Sequence, residues 1–204
     1  AYVLMIALNL VPENCKVTFA EKLVFLLKQH HGCLDTGFLA TPFLLDAFTK
    51  IGRRDLAVSL LWQTDMPSWL YEVEQGATTI WESWDAILSG TEPNVTSYDH
   101  YAFGCVDTWI FENVAGVRAL EPGFHRVEIS PEPEGLPLEF CRRSFRCEYG
   151  TIRIFWDRAT LKVSIPCGVT AVVCWKGQKT EIGSGDYVFE EKASKGRGAE
   201  HEGT

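Results

Sequence analysis

The spacing of apolar residues changes once along this chain, near Pro122, and that change limits the fold more than any other feature. Up to about Ala119, apolar residues recur three and four positions apart, which is typical of amphipathic helices. From Pro122 onward, short runs alternate apolar and polar residues between turns, which is typical of strands. The sequence therefore predicts a helical domain over 1–119 and a small antiparallel β-sandwich over 120–191. Residues 192–204 are Gly-rich and charged, and we predict a disordered tail there.

Within each half, the breaks at Gly, Pro and Asp set the predicted element bounds. Five helices are predicted, over 17–29, 37–51, 55–63, 79–88 and 100–115. Six strands are predicted, over 126–129, 145–149, 151–156, 161–165, 171–175 and 185–189.

Charge and composition exclude several classes of function. The formal net charge is −8, whereas nucleic-acid binding needs clustered Lys and Arg, so no nucleic-acid partner is expected. No apolar run reaches about 18 residues, so no membrane span is predicted. The seven cysteines are scattered without a C-x-x-C pair, which predicts free thiols, a reducing compartment and a cytoplasmic protein. Seven Trp, six Tyr and twelve Phe suit sugar-stacking surfaces as well as cores.

The first residues include no initiator Met and no basic segment before an apolar one. This start does not match a signal peptide, and it is compatible with a natural N-terminus that lies further upstream.

Three polar loops, at 35–38, 76–82 and 97–101, each precede an aromatic-rich segment. In a toroid of helices the tips of these loops would converge and form a pocket. The third loop contains His100, which is interpreted either as a structural residue or as a site residue.

The second loop holds Glu82 between Trp81 and Trp84. A carboxylate between indoles would be partly desolvated, which favours its protonated form and suits proton transfer. The structural alternative is a capping box, since Thr79-x-x-Glu82 has the spacing with which a helix start satisfies its free N–H groups. Asp85, one turn further, could share the site or be solvated.

Two further motifs have simpler structural explanations. Asp35-Thr36-Gly37 is the tripeptide that carries the carboxylate in pepsin-like proteases, but here Phe38 follows, so we expect Asp35 or Thr36 to cap a helix. His30-His31 lies near a cysteine, yet adjacent histidines do not easily face one ion and no third ligand follows at a fixed spacing. We therefore predict no metal site.

Three strings occur in a characteristic order: Leu34-Asp-Thr-Gly-Phe-Leu-Ala-Thr-Pro42, Gln75-Gly-Ala-Thr-Thr-Ile-Trp-Glu82 and His100-Tyr-Ala-Phe-Gly104. Over roughly residues 1–190 the chain resembles the C-terminal part of bacterial-type α-L-rhamnosidases. The resemblance implies the last helices of an (α/α)₆ barrel followed by a small β-sandwich. It also implies an inverting glycoside hydrolase that removes terminal α-L-rhamnose from rhamnose-containing glycosides, with no cofactor.

The same resemblance assigns roles to individual residues. It places the general base that activates water at Glu82 and a sugar contact at His100. The indoles of Trp81 and Trp84 would be walls of the sugar site, and Asp35 and Thr36 would be further pocket residues. An inverting enzyme also needs a general acid. In the family this acid lies upstream of the region present here, so the missing N-terminal part of the polypeptide is an expected partner and the isolated chain is expected to be inactive.

Two alternatives remain open from the sequence. The first is a non-catalytic carbohydrate-binding or structural remnant of the same fold, which would bind rhamnose without releasing it. The second is a different α/α-barrel glycosidase with another sugar preference.

Overall fold

The computed structural model describes residues 1–88 and 90–191, which form two compact units divided between Ile110 and Phe111. The tail predicted for 192–204 lies outside the described residues. Within the described part of the chain, no helix has the length and apolar character needed to cross a bilayer.

The first unit is helical, as predicted. Its described residues form α1 (Tyr2–Ala7), α2 (Lys16–Gln29), α3 (Thr41–Lys50), α4 (Arg54–Leu61), α5 (Trp69–Glu74) and α6 (Val106–Trp109). Helix α3 packs against α1 and α4, and its Ala47 and Phe48 are fully buried. The predictions over 17–29 and 55–63 are confirmed by α2 and α4. The short helices α1 and α5 were not predicted, because six residues do not complete two turns of a helical pattern.

The third predicted helix, over 37–51, begins later than expected. Helix α3 starts at Thr41 with Pro42 in its first turn, and no side chain caps its N-terminus. Proline is favoured there because its missing N–H would have no partner within the helix. The prediction that Asp35 or Thr36 caps this helix is therefore wrong.

The helix and capping box predicted over 79–88 are also wrong, since this segment is a run of bends and turns. It has one internal turn, in which the N–H of Ala86 donates to the carbonyl of Ser83, and its other backbone partners lie in a loop further along the chain. The N–H of Asn94 bonds to the carbonyl of Ala86, and the N–H of His100 bonds to that of Ile80. Further along, the helix predicted over 100–115 is a 3₁₀ turn (Tyr101–Cys105), then α6, then a π-helical turn (Ile110–Val114).

The second unit is a two-sheet β structure. One sheet has the order β1-β2-β6-β7, with β1 (Val117–Ala119), β2 (Arg126–Ile129), β6 (Thr170–Trp175) and β7 (Gln178–Ile182). The other has the order β3-β4-β5-β8, with β3 (Phe140–Cys147), β4 (Gly150–Asp157), β5 (Thr160–Ile165) and β8 (Gly185–Glu190). The six predicted strands are present, but β2 and β6 pair in parallel, so the structure is not wholly antiparallel.

The two unpredicted strands have simple causes. Strand β7 exposes four of its five residues, so it shows no apolar alternation. Strand β1 has three residues and follows a helical segment; it pairs with β2, so Val117–Ala119 belongs to the sheet although it was predicted within the helical half. The core of this unit includes fully buried Trp156, whose Nε1–H donates to the carbonyl of Val114 at 2.8 Å. All seven cysteines of the chain are free.

Candidate active site

Two of the three predicted loops pair through their backbones. The N–H of His100 donates to the carbonyl of Ile80 at 2.8 Å, and the N–H of Glu82 donates to that of Ser97 at 3.0 Å. The hydroxyl of Thr79 donates to the carbonyl of Tyr98. The segments 79–82 and 97–100 are thereby held side by side, and they bring Glu82 and His100 to one region of the helical unit.

The carboxylate of Glu82 is half-buried and is held through one oxygen. Oε2 accepts a hydrogen bond from the N–H of Ser97 at 3.1 Å and a longer one from the hydroxyl of Thr96 at 3.4 Å. No hydrogen bond to Oε1 is found within residues 1–88 and 90–191. The carboxylate is therefore oriented by the neighbouring loop and keeps a second oxygen that can accept a proton.

A second carboxyl group, that of Glu72 on α5, lies behind this loop. Its side chain is 1% exposed, and its Oε2 accepts a hydrogen bond from the N–H of Trp81 at 3.3 Å. Its Oε1 has no partner among the described residues. Burial raises the pKa of Glu72 to about 7, and the hydrogen bond from Trp81 opposes this increase only in part. Because Glu72 is enclosed, it supports the loop from inside and does not face a substrate.

His100 lies between two aromatic rings. Its imidazole stacks on Phe38 at 5.0 Å between centroids and on Tyr101 at 5.4 Å. Its Nδ1 accepts a hydrogen bond from the N–H of Ala102 at 3.3 Å. In the neutral ring an accepting Nδ1 leaves the proton on Nε2. His100 can therefore donate a hydrogen bond from Nε2 to an oxygen of a ligand.

The two tryptophans of the second loop differ in accessibility. Trp81 is 3% exposed and packs edge-on against Tyr98, so its ring has no surface to offer a sugar, contrary to the expected wall. Trp84 is half-buried and stacks on Phe103 at 4.0 Å. Trp84 is thus the indole of this loop that retains accessible surface.

The polar residues of the first loop do not join this cluster. The carboxylate of Asp35 contacts Nε2 of His30 at 3.0 Å, and the hydroxyl of Thr36 bonds to that of Thr41 at 2.8 Å. Asp35 and Thr36 line a separate cavity of about 190 Å³. The first loop contacts the site through Phe38, whose ring stacks on His100. The three loops were predicted to bring their polar tips together, but the first loop contributes an aromatic ring in place of its polar groups.

The supporting groups Phe38, Tyr101 and Glu72 were not predicted as site residues. Phe38 and Tyr101 stand directly in the recognised strings, so adjacency to the motif residues could have identified them. Glu72 carries no such signal, because only its burial distinguishes it from Glu74, which is exposed on the same helix. Across the described ranges, no group of three His, Cys, Asp or Glu side chains is arranged to hold a metal ion.

Comparison with known proteins assigns this architecture to a family. Residues 1–114 match the bacterial alpha-L-rhamnosidase 6 hairpin glycosidase domain, and residues 116–189 match the bacterial alpha-L-rhamnosidase C-terminal domain. The chain belongs to the bacterial α-L-rhamnosidase family. The predicted fold class, a part of an α/α barrel followed by a β domain, is confirmed by these matches.

Individual rhamnosidases are similar over most of this chain. The alpha-L-rhamnosidase of Streptomyces avermitilis is 37% identical over 180 residues, which is 85% of this chain and 17% of that protein. That of an Alteromonas species is 36% identical over 179 residues, covering 84% of this chain and 19% of that protein. The chain therefore spans about a fifth of the length of these relatives.

Solved rhamnosidase structures agree with this assignment. The Streptomyces avermitilis alpha-L-rhamnosidase complexed with L-rhamnose matches with a TM-score of 0.87 and 33% identity, covering 94% of this chain and 21% of that one. The native enzyme from Aspergillus terreus matches with a TM-score of 0.85 and 32% identity, covering 94% of this chain and 23% of that one.

Proposed function

We propose that this chain is part of an inverting α-L-rhamnosidase in which Glu82 is the general base. The proposal rests on how the two oxygens of the Glu82 carboxylate are hydrogen-bonded. Oε2 is held by Ser97 and Thr96, whereas Oε1 has no hydrogen-bond partner among the described residues and can accept a proton from water. A base must be both oriented and available for this step.

The reaction balances with one water molecule and two carboxyl groups. Glu82 takes a proton from water as the water oxygen bonds to the anomeric carbon. The bond from that carbon to the glycosidic oxygen breaks, and a general acid protonates the departing oxygen. The two carboxyl groups of an inverting glycosidase stand about 6.5–9.5 Å apart, which leaves room for the water.

The general acid is proposed to lie in the part of the parent protein outside this chain. Two observations support this division. The chain spans 17–19% of its relatives, so much of a barrel remains to be supplied. Within the chain, the nearby carboxyl group of Glu72 is 1% exposed, so it cannot reach a departing oxygen.

Other residues are assigned supporting contacts. His100 is proposed to donate from Nε2 to a sugar hydroxyl, because stacking between Phe38 and Tyr101 fixes the plane of its ring. Trp84 is proposed as an apolar wall. Asp35 and Thr36 line a separate cavity and remain candidates for substrate contact only there. Trp81 supports the loop from the interior.

The test replaces Glu82 in the parent-length enzyme. Glu82→Gln keeps the shape of the side chain and its acceptor for Ser97, but it removes the base. We expect kcat on an aryl α-L-rhamnoside to fall by about 10²-fold or more, the usual scale for general acid–base catalysis. Asp85→Asn, on the same loop, is the control and should retain turnover. Chain 1–204, assayed beside these proteins, should release no rhamnose.

Unchanged turnover in folded Glu82→Gln would reject Glu82 as the base. A parent-length wild-type protein that binds rhamnose but never hydrolyses a rhamnoside would favour the second candidate, a non-catalytic carbohydrate-binding protein.

The free state of all seven cysteines is the basis for proposing a cytoplasmic location, and it is equally compatible with a hydrolase and with a binding protein. Cell fractionation tests that location.

A further inference from the structure

The outer face of the sheet β3-β4-β5-β8 carries a group of exposed cations. Arg142, Arg153 and Lys162 are exposed on three adjacent strands, and none forms an ion pair with another described residue. Elsewhere in the same unit, Arg126 and Lys176 lie within 3.2 Å and 2.8 Å of the carboxylates of Glu181 and Glu134. A chain with a net charge of −8 therefore keeps one concentrated positive surface.

The strand register gives this surface an order. Arg142, Phe155, Lys162 and Val188 are direct cross-strand neighbours, so they form a row from β3 to β8. The two cations flank the ring of Phe155, at 5.9 Å and 5.7 Å from its centroid. Strands in a sheet are about 4.8 Å apart, so the two cation-bearing backbone positions are separated by about 10 Å.

A second ring extends the apolar part of the row. Phe140 is 56% exposed, and its ring is nearly parallel to that of Phe155, at 6.1 Å between centroids and 24° between planes. In the next row, Arg153 lies between Ser144 and Ser164, which supply hydroxyl groups. The residues of the two rows line a shallow groove of about 590 Å³.

Acidic groups of this face are engaged or lie at its edges. Asp186, at the far end of the second row, accepts a hydrogen bond from Ser164. The carboxylate of Asp157 accepts hydrogen bonds from the N–H groups of Ala159 and Thr160, and these bonds, together with the nearby charge of Lys162, hold the pKa of Asp157 below its usual range. The centre of the groove is therefore left to the cations and the rings.

We propose that this face, the basic face (Arg142, Arg153, Lys162, Phe140 and Phe155), binds a polysaccharide whose sugars carry carboxylates. Such a polymer presents oxyanions at intervals along a chain of sugar rings, and the row presents a cation, a ring and a cation in turn. The planar guanidinium groups match carboxylates, and the exposed phenyl rings match the apolar faces of sugars. The proposal is independent of hydrolysis at Glu82, because it concerns a different unit of the chain.

The experiment titrates chain 1–204 with polygalacturonate by calorimetry at low ionic strength. Neutral dextran controls for sugar without charge, and polyglutamate controls for carboxylates without sugar. We expect binding to polygalacturonate that weakens in 0.5 M salt, roughly as screened surface charges do, weaker binding to polyglutamate and none to dextran. Equal affinity for polyglutamate and polygalacturonate would overturn the proposal, because it would show a general polyanion surface.

Two variants locate the site. Arg142→Gln with Lys162→Gln removes both cations beside Phe155 and should lower affinity for polygalacturonate about tenfold, as expected for two exposed charge contacts. Lys28→Gln with Lys179→Gln removes the same charge elsewhere and should leave affinity unchanged. Phe140→Thr should weaken binding to polygalacturonate more than binding to polyglutamate.

Equal losses in the two double variants would place binding outside the basic face. The parent-length protein is also titrated with polygalacturonate. If it fails to bind polygalacturonate while chain 1–204 binds it, the remainder of the parent covers this face, and the proposal is wrong. If both bind, the face is an open polysaccharide site in the whole protein.

Discussion

Burial of the Glu72 carboxyl group couples the stability of this chain to pH. The pKa of Glu72 is raised to about 7, chiefly by burial, from an ordinary value near 4.5. The folded chain therefore holds this proton more tightly than the unfolded chain does. The contribution of Glu72 to stability is complete below pH 4.5, and it is lost as the pH rises through about 7. Each pKa unit corresponds to about 1.4 kcal/mol, so the loss amounts to a few kcal/mol.

Glu72→Gln should remove this dependence. The amide keeps an acceptor oxygen for the N–H of Trp81 but has no proton to lose near neutral pH. We expect the variant to be more stable than the wild type at pH 8 by about 2 kcal/mol, with much of this gain absent at pH 4, as measured by urea unfolding at each pH. Glu74→Gln, on the exposed side of the same helix, is the matched control. A gain for Glu72→Gln that stays constant between pH 4 and 8 would contradict the argument.

The residues of the candidate site could be identified from the sequence only in part. Glu82 and His100 stand in recognisable strings, and the structure brings their loops together. The interior position of Trp81 could not be read from the sequence, because an indole beside a carboxylate has the same local pattern whether it faces solvent or core. The same limit applies to Asp35, whose contact with His30 depends on how helix α2 ends.

At the level of elements, the connection between the π-helical turn and β1 requires glycine at position 116. Gly116 joins the π-helical turn to β1 with φ of 80°, and its carbonyl accepts a hydrogen bond from the N–H of Ser130 at 2.7 Å. A Cβ at this position would lie 2.2 Å from the nitrogen of Pro131. Alanine would therefore meet both an unfavourable φ and a collision with backbone that cannot rotate away.

Gly116→Ala is expected to lower the free energy of unfolding by about 3 kcal/mol or more, since the left-handed conformation alone costs roughly 1–2 kcal/mol. Gly135→Ala separates the two causes, because Gly135 has φ of 78° with no atom within 4 Å of its Cβ position. It should lose only about 1 kcal/mol. Denaturant unfolding of both variants measures the difference, and equal losses would show that the collision at Pro131 is relieved.

Helices and strands were predicted correctly where a periodic apolar pattern is visible within a short stretch of sequence. The strands were found because alternation is visible within five or six residues, as in β5 and β6. The helix over 79–88 was predicted wrongly because Trp81 and Trp84 have helical spacing, whereas the segment that carries them is hydrogen-bonded to residues 94–100. Hydrogen bonds between loops distant in sequence leave no periodic signal.

For the whole molecule, the predicted order of a helical part followed by a β part was correct because periodicity reports fold class over many residues. The parallel pairing of β2 with β6 was not predicted. The chain between these two strands forms three strands of the other sheet, and no local sequence pattern indicates which distant strands pair. The resemblance to the rhamnosidase family rested on three strings spread over residues 34–104, and the family matches over residues 1–114 and 116–189 confirm it.

The stereochemistry of the sugar first released by the parent-length enzyme tests most directly whether hydrolysis is the single displacement that a general base at Glu82 requires. A base that activates water on the face opposite the leaving group gives inversion in one displacement. Proton NMR during the first minutes of hydrolysis of an α-L-rhamnoside should therefore show β-L-rhamnose appearing before the anomers equilibrate. If α-L-rhamnose appears first, the reaction proceeds with retention, and the role proposed for Glu82 is wrong.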